Sequence, residues 1–175
     1  MSWPSMAHHA TLEIEKRLTP ESTIWEWGCL NWIAWFAERC KHITSVEHDL
    51  SNYLVMAARV PSNCNIIYAS LSAGYYVIGG KYDMIIVNGR KRVMCVRKAI
   101  PCLKMGGTLV LDDSWRYEYK AAMEMLRDWP SETWEENRGC PSIEKGTTLF
   151  TKTEEREPAY YDAILEQIGI PDEMA

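Results

Sequence analysis

The chain has 175 residues, 47% of them apolar and 25% charged, with a formal net charge of −5 at pH 7. That length suits one domain spanning residues 1–175, able to bury roughly two thirds of its unfolded surface, and the apolar share excludes a disordered chain. The charge excess is acidic and no Lys/Arg run is longer than Arg90-Lys91-Arg92, so electrostatics offers little to a phosphate backbone and no nucleic-acid partner is expected.

Met6 to Leu18 reads as an amphipathic helix closed by Thr19-Pro20. Thr23 to Trp27 is a buried strand that stops at Gly28 and turns at once into a helix over Cys29 to Cys40, with Ile33, Ala34 and Ala37 on one side. Ile43 to Glu47 is a second strand ending on acid. Asp49 or Ser51 then caps a helix through Leu54 and Ala58 to Val60, stopped by Pro61. Asn65 to Ala69 is strand three. Only Ser70 to Lys81, with Gly74, Gly79 and Gly80, separates it from strand four at Tyr82 to Val87. A crossover between parallel strands normally needs a dozen residues or more, so this helix is expected to be short or absent and the sheet more open on that flank.

Asn88-Gly89-Arg90 is a turn, and Lys91 to Leu103 a helix with Val93, Val96, Ala99 and Ile100 facing inward. Gly106-Gly107 leads into strand five, Thr108 to Leu111, which runs straight into Asp112-Asp113-Ser114. Tyr117 to Trp129 reads as a helix stopped by Pro130. Thr147 to Lys152 is a last strand paired with a weak one near Thr133 to Glu136, and Ala159 to Ile168 a terminal helix. Strands and helices alternating at these lengths give an α/β, doubly wound, mostly parallel sheet of about seven strands, the last antiparallel, with helices on both faces. Ligands of such sheets sit outside the carboxyl ends of the strands, where every polar cluster of this chain falls.

Cys29, Cys40, Cys64, Cys95, Cys102 and Cys140 form no C-x-x-C pair and lie in largely apolar segments, which reads as free thiols in a reducing compartment. With neither a secretory leader pattern nor an apolar run of membrane-spanning length, a cytoplasmic protein without a membrane partner is expected. Eight Trp and nine Tyr stand against two Phe, read as packing aromatics.

The strand-glycine-helix at Gly28 followed by a strand ending at Glu47 is how a doubly wound sheet builds an adenosine site. The glycine admits a close backbone approach and the acid accepts ribose hydroxyls. Asn88, Asp112 and Asp113 converge if strands four and five are neighbours. Oxygen groups of that kind suit Mg²⁺ or Ca²⁺. The plainer reading is preferred and no metal is assigned: an aspartate caps the next helix and Asn88 turns with Gly89. Arg90, Arg92, Trp115 and Arg116 flank the same rim, where they could meet an anionic or aromatic acceptor.

Four stretches carry a family resemblance: Trp25-Glu26-Trp27-Gly28, Ser45-Val46-Glu47-His48-Asp49, Tyr82 to Gly89, and Lys104 to Asp113. In this order and spacing the chain resembles the class I S-adenosylmethionine-dependent methyltransferases over roughly residues 19–152. The resemblance implies a Rossmann-like methyltransferase fold, S-adenosylmethionine as cofactor, and a cofactor site formed by Glu26, Gly28, Glu47, His48, Ser70 and Asn88. Asp112 and Asp113 are the candidate catalytic carboxylates, and a small molecule is the expected acceptor. The chain departs from the family pattern at Leu30, where glycine is usual, at Ala69-Ser70, where an acid or amide reads adenine, and at Asn88, where strand four usually ends in Asp. A fold of this kind serving as a binding module without catalysis is the alternative.

Overall fold

The computed structural model describes residues 3–28, 32–137 and 144–169. Its centre is one seven-stranded sheet in the order β3-β2-β1-β4-β5-β7-β6. The strands are β1 (Thr23–Trp27), β2 (His42–Glu47), β3 (Cys64–Tyr68), β4 (Tyr82–Val87), β5 (Leu103–Asp112), β6 (Ser131–Asn137) and β7 (Glu144–Thr151). β1 to β5 are mutually parallel, and β7 runs antiparallel to both β5 and β6. The strand order reverses between β1 and β4, so the crevice of the sheet opens above their carboxyl ends.

Alternation along the buried strands divides the core between two faces. Trp25, Trp27, Ile85, Val87, Leu109 and Leu111 point to one face, which is covered by α4 (Arg92–Cys102), α5 (Lys120–Met125) and α6 (Pro158–Ile168). Ile24, Met84, Ile86 and Val110 point to the other, beneath α1 (His8–Arg17) and α2 (Ile33–Ala37), with α3 (Leu50–Ala57) beside β3. Continuous apolar runs such as Met84 to Val87 are what a strand buried on both faces requires.

Several elements differ from the sequence reading, each for a local reason. α2 covers Ile33–Ala37, and its expected start at Cys29 lies outside the described residues. It is buried nearly all round: Ile33 and Ala37 are enclosed, as are Trp35 and Phe36, and Ala34 is half-buried. The helix expected from Tyr117 is a 3₁₀ turn (Tyr117–Tyr119) followed by α5, which ends at Met125. Residues 70–80 form turns closed by Ala73 N–H to Ser70 O and Val77 N–H to Gly74 O, so the third crossover has no helix, as expected from its length. Asp49 is the residue that caps α3, its carboxylate accepting from Asn52 N–H at 2.8 Å.

Candidate functional site

β1 ends at Gly28, whose φ of 96° lies in the left-handed region and whose N–H donates to Val46 O at 2.9 Å. A Cβ at this position would stand 2.8 Å from both N and Cα of Gly89, in the turn that follows β4. The two turns at the reversal of strand order are therefore in backbone contact, which only a residue without Cβ permits. Cys29, Leu30 and Asn31 lie outside the described residues.

Glu26 lies beneath this turn on the α2 face, paired across the ladder with Ser45. It is fully buried, and Ser45 Oγ–H donates to its Oε2 at 2.5 Å while Trp32 Nε1–H donates to its Oε1 at 2.9 Å. Burial pushes its pKa up to about 7; the two donors oppose that shift and nearby Glu47 adds to it.

Glu47 ends β2 and is likewise buried. Its Oε1 accepts from the N–H groups of His48 at 2.6 Å and Asp49 at 2.8 Å, so the carboxylate is pinned over its own turn. Among the described residues Oε2 has no donor. His48 Nδ1 lies 2.9 Å from Glu47 Oε1 but off the line of a hydrogen bond, and that nitrogen is enclosed without an aligned partner.

The segment after β3 supplies a residue that sequence reasoning missed. Tyr75 is fully buried, meets the His48 ring edge-on at 5.7 Å, and accepts at its phenol oxygen from Arg90 N–H at 3.0 Å. Its carbonyl accepts from Trp27 Nε1–H at 2.7 Å. Burial pushes the phenol well above its usual range, so it stays neutral. A Cβ on Gly89 would stand 1.9 Å from this phenol oxygen. Tyr75 thus packs across the carboxyl ends of β1, β2 and β4. Ser70, at the start of the segment, shares a hydrogen bond with Ser72 at 3.1 Å. Irregular chain of this kind has no periodicity from which the burial of one tyrosine among several could be read.

Asn88, Asp112 and Asp113 do converge, around a side chain the sequence reading left on the rim. Arg92 is buried, and its guanidinium donates to Gly89 O and Asn88 O at 3.0 Å each, to Asn88 Oδ1 at 3.3 Å, and to Asp112 O. It also pairs with Asp113 Oδ2 at 3.4 Å and lies over the Tyr119 ring. Arg92 therefore ties β4 to β5 and is not a rim group for an acceptor, a correction to the expectation above. Asn88 Nδ2 is left buried without a partner among the described residues.

Asp112 accepts from Thr147 Oγ1–H at 2.7 Å, joining β5 to β7. Asp113 has φ 52° and pairs also with Arg116 at 3.0 Å. Neither aspartate caps the helix that follows: Arg116 occupies that position, its N–H donating to Asp113 O, which corrects the capping expectation. Among the described residues no group of three metal-ligating side chains occurs. Trp115 stays on the rim, 45% exposed, with Arg116 beside it. A cavity of about 510 Å³ lies at the opposite, amino end of the sheet, bordered by Arg17, Asp83 and Lys104, away from all of these residues.

At the level of sequence, no family model and no curated protein matches the chain. Solved structures do match it in three dimensions. An rRNA methylase from Streptococcus thermophilus is similar with a TM-score of 0.65, over 87% of this chain and 100% of that one, at 14% identity. A precorrin 8w decarboxylase from Methanobacterium thermoautotrophicum also gives 0.65, over 88% and 93%, at 15% identity. The N-methyltransferase NodS from Bradyrhizobium japonicum, in complex with S-adenosylhomocysteine, gives 0.61 over 76% and 79%, at 14% identity. At these identities the likeness is one of fold. The chain has the Rossmann-like fold of the class I S-adenosylmethionine-dependent methyltransferases.

Proposed function

We propose that the chain is an S-adenosylmethionine-dependent methyltransferase acting on a small-molecule acceptor. The observation that carries this reading is Glu47. A buried carboxylate pinned through one oxygen to its own turn, with no donor to the other among the described residues, is built to accept hydroxyls at the carboxyl end of β2. Two further observations fit the cofactor: the Cβ-free contact of Gly28 with Gly89, and the orphaned donor Asn88 Nδ2. NodS, with this fold, was solved with the demethylated cofactor.

In this reading Glu47 accepts from the ribose hydroxyls, and His48 and Ser70 flank the adenine. Asn88 donates through Nδ2, and Gly28 keeps the floor of the site low. Glu26 contributes as a positioning residue, holding Trp32 and through it the start of α2. The bound cofactor supplies an electrophilic methyl group on a sulfonium, whose in-line transfer needs positioning and exclusion of water. Where the acceptor must lose a proton, Asp113 takes it, and Asp112 keeps β5 registered on β7 through Thr147. Arg90, Trp115 and Arg116 form the acceptor's rim. The acidic net charge favours a small acceptor over a nucleic acid. The free thiols of Cys40, Cys64, Cys95 and Cys102, with no membrane-spanning helix among the described residues, favour a cytoplasmic setting.

Calorimetric titration with S-adenosylmethionine and S-adenosylhomocysteine tests this. Saturable heat is expected for both. Glu47→Ala should weaken binding about a hundredfold, the worth of charge-assisted hydrogen bonds to two hydroxyls. Absence of heat with the wild-type chain overturns the reading. One observation favours the alternative of a non-catalytic binding module: Tyr75 and its segment already pack across the ends of β1 and β4. Methyl transfer from labelled cofactor into a pool of small molecules would exclude that alternative.

A further inference from the structure

We infer that the chain associates with a second copy of itself through the outer edge of β3, the two β3 strands pairing antiparallel about a two-fold axis at Ile67. This does not depend on the cofactor reading.

Among the described residues β3 is the terminal strand of the sheet and pairs only with β2. Ala69 N–H donates inward to Glu47 O, and Asn63 O accepts inward from Ile43 N–H. Backbone direction alternates along a strand, so Asn65 and Ile67 also point inward while the N–H and C=O groups of Ile66 and Tyr68 point out to solvent. Edge strands are ordinarily guarded by charges, proline or a bulge. β3 has none of these. Between Leu50 and Gly80 the single charged residue is Arg59, in a chain that is 25% charged.

Apolar side chains stand on both faces of this edge, with Asn65 exposed beside Ile67. Ile66 packs toward the core beneath α1 and α2, so Ile67 faces the opposite side, where the third crossover lacks a helix and leaves it 38% exposed. Beside β3, α3 has no buried residue, and it turns Leu50 and Leu54 outward one helical turn apart. Leu54 is 61% exposed and Val77, on the crossover, 66%.

The occupant follows from charge and register. A chain of net charge −5 meets its own copy most readily where its surface carries the fewest charges. A two-fold axis at Ile67 sets Ile66 opposite the partner copy's Tyr68 and Tyr68 opposite the partner copy's Ile66. All four outward N–H groups and carbonyls of each such pairing are then satisfied, and Ile67 meets its own counterpart at the close, non-hydrogen-bonded spacing.

Sedimentation velocity of the wild-type chain over a roughly hundredfold concentration range is the test, with a reversible monomer–dimer equilibrium expected. Ile67→Lys should weaken dimerisation at least tenfold by placing like charges face to face, and Ile67→Glu should do the same. An equimolar mixture of the two variants should re-form a dimer. Tyr117→Lys, far from the edge, should leave the equilibrium unchanged. Ile67→Cys should give a covalent dimer on mild oxidation that the wild-type chain does not give, since its Cα spacing of about 4.5 Å falls within disulfide reach. A wild-type chain that stays monomeric throughout the range, or a dimer indifferent to Ile67→Lys, overturns the inference.

Discussion

Gly28 and Gly89 face each other with no room for a methyl group between them, and Tyr75 occupies the other side of Gly89. Gly89→Ala should therefore destabilise the fold by about 2–3 kcal/mol, the range for overpacking a filled core. Tyr75→Phe removes the oxygen that an added Cβ would strike but leaves Arg90 N–H without its acceptor, a loss of about 1 kcal/mol. The double variant should be less destabilised than the sum of the two by about 1 kcal/mol, because the phenyl ring leaves space for the alanine. Urea unfolding of the four proteins measures that coupling, and strict additivity would show that the clash is relieved elsewhere. Gly28 was legible in the sequence because a buried strand broken by glycine and followed by a helical pattern has few other meanings. Glu47 was legible for a similar reason, as an acid closing an apolar strand. The tight contact of Gly89 was not, since a turn glycine and a close-contact glycine look alike until the neighbouring backbone is in place.

At the scale of elements, the buried strands could be read well because each is a short apolar run with a polar stop. The convergence of Asn88, Asp112 and Asp113 followed from β4 and β5 being neighbours. What joins them could not be read, because a helix-initial arginine beside Arg90 and Lys91 looks solvated until its side chain is seen to fold back between two strand ends. Arg92 donates to carbonyls of three residues, Asn88, Gly89 and Asp112, so it links β4, α4 and β5 at the rim of the site. Arg92→Met should strand those carbonyls and free Asp113 from one of its two partners. The cost should be about 3–5 kcal/mol, as for breaking other buried charged networks. Arg92→Lys keeps the charge but not the planar fork and should lie between Met and wild type. Unfolding midpoints check the order. A midpoint for Arg92→Met equal to that of wild type would remove the clamp from the account of the fold.

For the molecule as a whole, the pH dependence of stability should be shaped by opposing carboxylates on different elements of the fold. Burial alone would raise Asp83, but Lys104 and Thr23 outweigh it and hold its pKa below the ordinary value; Arg97 does the same for Asp162. A lowered folded-state pKa gives stability that is present above the unfolded value and lost as pH falls, so these two pairs weaken in acid. Glu26 has the opposite sign. Its folded-state pKa of about 7 stands above an ordinary value of 4.5, so the native state holds a proton that the unfolded chain has already released. That contribution is whole below about pH 4.5 and declines as pH rises toward 7. The decline approaches about 3 kcal/mol, at 1.36 kcal/mol per unit. Stability of the wild-type chain should therefore peak in mildly acidic solution, near the crossing of the two trends, and fall between pH 5 and 7. Glu26→Gln, which can still accept from Trp32 and Ser45 without ionising, should flatten that fall and leave the acid limb in place. Urea titrations of both proteins at a series of pH values make the comparison. An identical slope between pH 5 and 7 would mean that some other group, and not the carboxyl sealed beneath the Gly28 turn, sets the dependence.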